Sequence, residues 1–213
     1  DTLSYMVPPG GTTTQSNRGR GVIGGGFTPT LVKTVQYIEI QSSGTSVDFG
    51  DKTDTRYAAT AVSSTTRGVI AGGHSSSSSP YPTVNTMDYI TIATTANAID
   101  FGADRTQGNG SYAPGSGNAT RGLFWSASSH PSYYNTIDYI TIATTGACAE
   151  FGDINMANGR YGGATSADST RATYSGGVTG ASSTALNNID YVTIATTGNG
   201  QDFGDLTTVK RYV

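Results

Sequence analysis

Apolar residues in this chain occur in short runs, without the spacing of three to four residues that a helix needs. The clearest run begins at Tyr89 and reads Tyr-Ile-Thr-Ile-Ala, in which aromatic and β-branched side chains dominate. Such a run predicts a β-strand. Equivalent runs begin at Tyr37, Tyr139 and Tyr191, and each of the four is followed twelve residues later by Phe49, Phe101, Phe151 or Phe203.

The four phenylalanines mark a sequence repeat. They recur at intervals of 52, 50 and 52 residues, and a period near fifty is typical of supersecondary units that stack or form a ring. We place approximate repeats at 1-52, 53-104, 105-155 and 156-207, with 208-213 starting a fifth copy or closing a ring. Because four such units can bury a core between them, we expect the 213 residues to form a single repeat domain.

Each repeat carries signals for four short strands. An Arg-Gly run closed by a glycine pair, as in 67–73, predicts an inner strand, and the tyrosine run predicts the next. A Thr-Thr-Gly turn and the phenylalanine segment supply a third, and a last element such as 56–62 leads into the following repeat. Four strands joined by Gly-rich and Ser-rich turns describe a propeller blade. The predicted fold is therefore an all-β, four-bladed β-propeller, with a β-solenoid or a β-sandwich as the alternatives.

The order of these signals resembles a kelch-type blade over almost the whole chain. In kelch repeats a Gly-Gly ends the second strand and a spaced Tyr and Trp follow. Here the four tyrosines stand at the Tyr position and the four phenylalanines at the Trp position, while the glycine position holds Gly25-Gly26, Gly72-Gly73 and Gly176-Gly177. The third repeat departs from the pattern, with Ser126-Ala127 in place of the glycines and Trp125 beside them.

A narrower resemblance concerns the segment 135–153, which reads Asn-Thr-Ile-Asp-Tyr-Ile-Thr-Ile-Ala-Thr-Thr-Gly and ends in Phe-Gly-Asp. This wording is similar to kelch-like repeats in virion-associated proteins of marine tailed bacteriophages, which are mostly described as structural or tail-fibre-like. The resemblance implies a virion appendage and leaves its ligand open.

Composition excludes several classes of partner. The net charge is −3 and charged residues make up 13% of the chain, which gives no basic surface for nucleic acid and no polybasic patch for a membrane. No stretch approaches the ~18 apolar residues of a membrane span. A surface rich in Gly, Ser and Thr, with lysine only at Lys33, Lys52 and Lys210, is typical of extracellular and virion proteins. Cys148 is the single cysteine and is expected to be a small apolar filler.

Recurring charged residues are predicted to hold the repeats together. Asp88, Asp138 and Asp190 precede the tyrosines, and Arg67, Arg121 and Arg171 recur one strand earlier. We expect either an Asp-Arg ion pair between these positions or carboxylates that accept turn amides. A ring of carboxylates around a central channel could instead bind a cation, but a hard cation needs six to eight converging oxygens. No metal site is predicted.

The chemical motifs favour a protein without enzymatic activity. Gly19 to Gly24 satisfies G-x-G-x-x-G, yet no helix is predicted after it, as dinucleotide binding would require. The two histidines, His74 and His130, lie in variable loops without an identifiable nucleophile. A carbohydrate-active enzyme would need two converging carboxylates, and no pair is singled out. We expect no catalytic residue and no cofactor.

Differences between the repeats concentrate in the loops after the glycine pairs, which should emerge on one rim. Aromatic rings and hydroxyls there suit stacking on sugars. The candidate residues for binding a glycan or a protein partner are His74, Tyr81, His130, Tyr133 and Tyr134. The alternative is that they are solvated residues or residues of a subunit interface.

The chain ends in Arg211, Tyr212 and Val213, which repeat the start of the Arg56-Tyr57 element. These residues could pair with the first blade and close the ring, removing an open edge. They could instead add to a neighbouring subunit and make a head-to-tail filament.

Together these patterns predict a non-enzymatic structural or appendage protein of a tailed phage, located on the virion surface or outside the cell. Its expected partners are other virion or filament subunits and a cell-surface glycan, without nucleic acid or membrane insertion. The alternatives are a secreted filament-forming or adhesin subunit polymerised by a terminal strand, and a carbohydrate-active enzyme.

Overall fold

The computed structural model of the protein describes residues 19–78, 81–106, 110–129, 132–180 and 182–212. All regular structure within these ranges is β, and every strand pairing in them is antiparallel. The all-β prediction is therefore confirmed.

Four sheets follow one another along the chain. The first sheet has the order β1-β2-β3, with β1 (Arg20–Thr28), β2 (Thr30–Glu39) and β3 (Val47–Asp51). The second sheet has the order β4-β5-β6-β7, with β4 (Thr60–Ser63), β5 (Arg67–Ala71), β6 (Met87–Thr91) and β7 (Ile99–Asp100).

The last two sheets each have an additional two-stranded ribbon beside them. The third repeat supplies β8 (Gly115–Gly117), β9 (Arg121–Phe124), β10 (Ser128–Ser129), β11 (Ser132–Tyr133), β12 (Thr136–Thr141) and β13 (Ala149–Asp153). Of these, β8-β9-β12-β13 form the third sheet and β10-β11 a ribbon. The fourth repeat supplies β14 (Arg160–Tyr161), β15 (Ala164–Ala167), β16 (Arg171–Ser175), β17 (Val178–Thr179), β18 (Leu186–Thr193) and β19 (Gln201–Lys210). Here β15-β16-β18-β19 form the fourth sheet and β14-β17 the ribbon.

The apolar core is divided into three clusters, one between each pair of consecutive sheets. The first joins Val35 and Phe49 to Ile90 and Ala98. The second joins β-strands of the second sheet to Phe124, Ile140 and Ile142 of the third, and the last joins the third sheet to Ala172, Tyr174, Val192 and Ile194 of the fourth. Each sheet therefore packs face to face on its sequence neighbours.

An arginine, a tyrosine and a phenylalanine form the same contact in every sheet. The arginine guanidinium lies 4.4 to 4.7 Å from the tyrosine ring centre, and the phenylalanine meets that ring edge-on, with centroids 5.9 to 6.3 Å apart. Both geometries are favourable for aromatic rings. The twelve-residue Tyr-to-Phe spacing thus places the two rings together across a hairpin. The arginines are Arg20, Arg67, Arg121 and Arg171.

The same arginines also connect one sheet to the next. The Nη1 atom of Arg20 donates to the Ile92 carbonyl at 2.7 Å, that of Arg67 to the Ile142 carbonyl at 3.0 Å, and that of Arg121 to the Ile194 carbonyl at 2.7 Å. These residues stand at one position of successive repeats. The contact therefore fixes how far each sheet is rotated against the one after it.

The predicted partners of the recurring aspartates were wrong in one respect. The three carboxylates are buried and pair with Arg56, Arg105 and Arg160 of the linkers between repeats, not with Arg67, Arg121 and Arg171. The pairs join Nη2 of Arg56 to Asp88 at 2.7 Å, Nε of Arg105 to Asp138 at 3.1 Å and Nη2 of Arg160 to Asp190 at 3.1 Å. The arginines of the strands instead lie on the tyrosine rings, and Arg67 and Arg121 also donate to carbonyls of the next sheet. The carboxylates thus anchor each linker under its own sheet.

Burial makes these pairs costly as well as specific. Loss of water raises the pKa of Asp190 and lowers the pKa of Arg160, while their mutual attraction opposes both shifts. Asp190 also accepts the backbone amide of Asn155 at 3.2 Å, so the turn-amide expectation holds at this position.

The glycine pairs allow the linker backbone to approach closely. Gly72 and Gly73 have φ values of +65° and +109°, and a β-carbon on either would overlap a carbonyl oxygen of Gly110 or Tyr57. In the third repeat the hydroxyl of Ser126 donates to the Arg160 carbonyl at 2.5 Å. The third repeat lacks the glycine pair, and there this side-chain hydrogen bond connects the end of the inner strand to the following linker.

The two ends of the stack differ from its interior. The outer face of the first sheet exposes Ile38 and Ile40, and that of the fourth sheet exposes Phe203. Among the described residues no strand pairing joins the first sheet to the fourth. Arg211 and Tyr212 follow β19 outside any strand, and the Tyr212 amide donates to the Gly162 carbonyl at 2.6 Å.

We predict that Asp138→Ala lowers the free energy of unfolding by about 3–5 kcal/mol, because it leaves the buried Arg105 guanidinium without its counter-charge. Lys33→Gln is the control, since the Lys33-Asp51 pair is exposed and its loss should cost about 1 kcal/mol or less. Urea unfolding of both variants measures the difference. Equal effects would show that the buried pair does not hold the linker.

A second prediction compares two glycines at one position of different repeats. A β-carbon at Gly152 would overlap the carbonyl oxygen of Gly198 in the next sheet, whereas one at Gly204 meets nothing within 4 Å. Both have positive φ values, +153° and +131°, so both alanine variants suffer backbone strain. Gly152→Ala should therefore destabilise the protein by about 1–3 kcal/mol more than Gly204→Ala in thermal unfolding. A reversed order would contradict the inter-sheet contact.

Candidate functional site

Aromatic side chains from all four repeats meet on one surface, which we call the aromatic rim. Each ring of the rim lies 5.0 to 6.5 Å from at least one other, measured between ring centroids. The rim consists of Phe27, Tyr57, His74, Tyr81, Tyr112, Tyr133, Tyr161 and Tyr212.

Short backbone pairings hold the covered rings of the rim. Tyr57 and His74 exchange amide-to-carbonyl hydrogen bonds of 3.1 and 2.8 Å, and their rings stack at 5.0 Å. The β14-β17 pairing holds Tyr161, whose ring stacks on Tyr133 at 5.8 Å. The Tyr133 ring also lies against Gly180, where a β-carbon would overlap it. These elements form the supported base of the rim.

A column of backbone hydrogen bonds runs through the linkers beside the rim. The Tyr112 amide donates to the Ala58 carbonyl at 3.2 Å, the Gly162 amide to the Tyr112 carbonyl at 3.2 Å, and the Tyr212 amide to the Gly162 carbonyl. All four residues have φ between +53° and +65°. Equivalent linkers thus adopt the same left-handed conformation.

Three of the four exposed rings of the rim are held in strained backbone. Tyr81, Tyr112 and Tyr212 are 51%, 44% and 61% exposed, and their φ values are +55°, +54° and +55°. A left-handed conformation is unfavourable for a residue with a large side chain, and residues strained in this way cluster at functional sites. The strain thus falls on three of the four rings that a ligand can reach, and Phe27 is the exception.

The structure brings together four of the residues named from the sequence: His74, Tyr81, Tyr133 and Tyr212. The Nδ1 atom of His74 lies 3.0 Å from the Tyr81 carbonyl, to which it donates. The Arg211 guanidinium lies 6.0 Å from the Tyr212 ring. His130 and Val213 lie outside the described residues.

Tyr134 behaves differently from its neighbour. Its amide donates to the Ala127 carbonyl at 3.0 Å and its backbone packs on Gly159. Within the described ranges its ring makes none of the aromatic contacts of the rim.

Sequence reasoning missed Phe27, Tyr57, Tyr112 and Tyr161 as members of this site. A usable signal was present, because a tyrosine stands in every linker between repeats. Tyr57 and Tyr161 occupy one linker position, and Tyr112 and Tyr212 the next. What the sequence could not give is the left-handed turn that directs the second pair to the same surface.

The rim carries little charge. Burial raises the pKa of Tyr161 to about 12, with the neighbouring Tyr212 phenol as a further cause. Burial, together with Tyr112 and Tyr81, also raises the pKa of Tyr57. These phenols are therefore neutral hydrogen-bond donors and acceptors at physiological pH.

A cavity of about 540 Å³ lies between the inner edges of the four sheets. It is lined by β1 residues such as Arg20 and Val22 and by segments of β4, β8 and β15. Arg20 is the one charged residue among the described residues that line it, and no carboxylate, imidazole or thiol is in that set. The cavity thus offers hydroxyls and backbone groups rather than an acid and a base.

Two other groups with shifted pKa values lie away from the rim. Burial, and then Arg56, lowers the pKa of Lys52 to about 8, and its Nζ donates to the Arg56 carbonyl at 2.9 Å. Burial raises the pKa of Cys148 to about 12, so this thiol is a poor nucleophile packed against the second core cluster. Within the described parts of the chain no three His, Cys, Asp or Glu side chains group as metal ligands would.

Comparison with known protein-family models and with curated proteins finds no match to this chain. In the described ranges no helix is long and apolar enough to span a membrane.

The shifted Lys52 predicts a pH dependence of stability. Below about pH 8 the folded protein holds a charged ammonium away from water, whereas the unfolded chain hydrates it. As the pH rises from about 8 towards 10.5, the folded protein loses this proton first and the penalty disappears. The contribution of Lys52 to the free energy of unfolding should thus rise with pH, by about 3 kcal/mol over the whole window.

Lys52→Leu tests this prediction, since Leu206 stands at the same position of the fourth repeat. In urea unfolding, its stability relative to the parent should fall between about pH 7 and pH 9.5. Ionisation of the tyrosines and of Cys148 cancels in this difference, because both proteins contain them. Lys33→Gln should keep a constant difference over the same range. A constant difference for Lys52→Leu would contradict the lowered pKa.

Proposed function

We propose that this chain is a non-enzymatic structural module of a virion appendage or another extracellular assembly, and that its aromatic rim binds a glycan on a partner surface. The proposal includes the architecture: the four sheets are four kelch-like propeller blades, with no strand pairing between the first and the fourth among the described residues. Support for the blades comes from one sheet per sequence period and from inner strands that line a shared cavity. Support for the setting comes from the phage resemblance and the hydroxyl-rich composition.

The observation that carries the binding proposal is the exposure of Tyr81, Tyr112 and Tyr212 in one surface. A tyrosine ring offers a flat apolar face for the C–H groups of a sugar, and its hydroxyl bonds the sugar's hydroxyls. Tyr112 contacts both His74 and Tyr212, so successive rings could bind successive sugar units. The neutral phenols favour a neutral oligosaccharide over a charged one.

Catalysis has no comparable support. The described lining of the cavity lacks the two carboxylates that glycoside hydrolysis needs, and the lysine and cysteine with shifted pKa values lie in packed surroundings. The proposal therefore assigns the chain a binding role.

A secreted filament or adhesin subunit is the second candidate. It keeps the same fold and is favoured by the uncovered faces at the two ends of the stack. Detection of the chain in purified phage particles by mass spectrometry supports the first setting, and fibres formed by the purified chain alone support the second.

We predict that Tyr81→Asn and Tyr212→Asn each weaken oligosaccharide binding about tenfold, because each removes one stacking ring. Maltohexaose, cellohexaose and chitohexaose serve as probes, with binding measured by NMR titration. Asparagine tolerates the left-handed backbone, so neither variant should lose stability. Ala58→Asn is the matched control, since Ala58 has φ +53° and no ring.

The chemical shifts of the rim tyrosines give the decisive readout. The proposal is supported by a probe that shifts the resonances of Tyr81, Tyr112 and Tyr212 in the parent and needs about tenfold higher concentration to shift the remaining rim tyrosines in each asparagine variant. If none of the three oligosaccharides perturbs these resonances, the rim does not bind neutral glycans.

A further inference from the structure

We propose that the two ends of the stack bind one another between molecules, so that the fourth sheet of one copy receives the first sheet of a second copy. This inference concerns the end faces and does not depend on glycan binding at the rim. It rests on a comparison of each end face with the three interfaces inside the chain.

The first sheet presents one half of such an interface, which no other described residue covers. In the later repeats the two apolar residues after each core tyrosine are buried against the preceding sheet, with Ile90 and Ile92 4% and 6% exposed. Their equivalents in the third and fourth repeats, Ile140, Ile142, Val192 and Ile194, are at most 3% exposed. In the first repeat Ile38 and Ile40 are 39% and 62% exposed.

The fourth sheet presents the complementary half. Phe49, Phe101 and Phe151 are at most 3% exposed because the following sheet covers them, whereas Phe203 is 56% exposed. The edge-on contact of Phe203 with Tyr191, at 6.0 Å, is the same as in the other sheets. The end face is thus already in the conformation that the buried faces adopt.

Backbone contacts also differ between the interfaces inside the chain and the two end faces. Gly50 and Gly152 each lie against the turn of the following sheet, at Ala96 and Gly198. Gly204 stands at the same position in the fourth repeat and has open space above it. The corresponding turn in the first sheet contains Gly44, which also has nothing within 4 Å of its β-carbon position.

The connecting arginine is also in place. Arg171 lies 4.7 Å from the Tyr191 ring, as the other three arginines lie on their tyrosines. Those three donate to the carbonyl of an isoleucine in the next sheet, and Arg171 makes no such bond to any described residue. The isoleucine at the matching position of a first sheet is Ile40.

A second copy is the occupant that these observations favour. Each face is half of an interface that the chain already forms three times, and both halves are present on every molecule. The contact is heterologous, because the two surfaces differ, so a dimer still has one free face of each kind. Association therefore continues to a head-to-tail chain or to a closed ring of several copies.

The test uses the full chain in sedimentation velocity over a wide range of concentration. The parent should form species larger than a monomer as concentration rises. Ile40→Asp and Phe203→Asp should each abolish all larger species, because a carboxylate would be buried without a partner in the interface. Both positions are exposed in the single chain, so both variants should fold.

A mixture of the two variants gives the sharpest result. Phe203→Asp keeps an intact first sheet and Ile40→Asp an intact fourth sheet, so one productive interface remains between them. The mixture should form a one-to-one dimer that cannot extend. A mixture that stays monomeric overturns the proposal, because the two faces are then not complementary.

Controls separate this inference from the other proposals. Ile99→Asp alters a residue that is 57% exposed in the second sheet, away from both ends, and should assemble like the parent. Tyr81→Asn should also assemble normally. If the parent assembles normally but binds none of the three oligosaccharides, the rim proposal alone is overturned.

Closure within one chain is the remaining outcome. If the parent is monomeric throughout and both aspartate variants lower its free energy of unfolding, the two faces bind each other in the same molecule. That result overturns association between copies and supports an intramolecular ring.

Discussion

The contact on which this structure depends is an arginine that lies on a tyrosine and donates to a carbonyl of the next sheet. A cation-π contact of this kind contributes about 0.5–2 kcal/mol, and a charged donor strengthens the hydrogen bond. Neither term is large alone. Because both use one guanidinium, the position of a sheet is tied to the ring of its neighbour, and the apolar clusters then fill the space that this geometry leaves. Orientation therefore comes from the arginine and most of the stabilisation from burial.

The buried arginine-aspartate pairs have a different role. They connect each linker to the sheet that follows it, and they lie where an apolar pair of the same volume could give equal or greater stability. Their value is specificity: a charged group without its partner is so unfavourable in these positions that only one placement of the linker is acceptable. Each of the three arginines precedes a left-handed residue of its own linker, at Ala58, Tyr112 or Gly162. The pairs that specify the fold thus also anchor the linkers that lie beside the aromatic rim.

Much of the architecture could be predicted from the sequence, and the reasons are local. The twelve-residue spacing from Tyr to Phe predicts a hairpin. The recurrence of this pair about every fifty residues predicts one sheet per repeat. The partner of Asp138 could not be predicted, because Arg105 is 33 residues away and two sets of arginines recur with equal regularity. Likewise Tyr81 and Tyr133 were found because they lie in variable loops. Tyr112 was missed because its importance comes from backbone conformation and from neighbours that only the tertiary structure assembles.

The division of the core into three separate clusters has a consequence for how such a chain can change. Each cluster involves only adjacent sheets, so stability is a sum of nearest-neighbour terms, and unfolding should begin at the outer sheets, which are held from one side. Adding or deleting a whole repeat in the interior would change the number of sheets by one. The exposed end faces of the first and last sheets would stay the same. Duplication within the gene can therefore lengthen the protein without requiring any new interface.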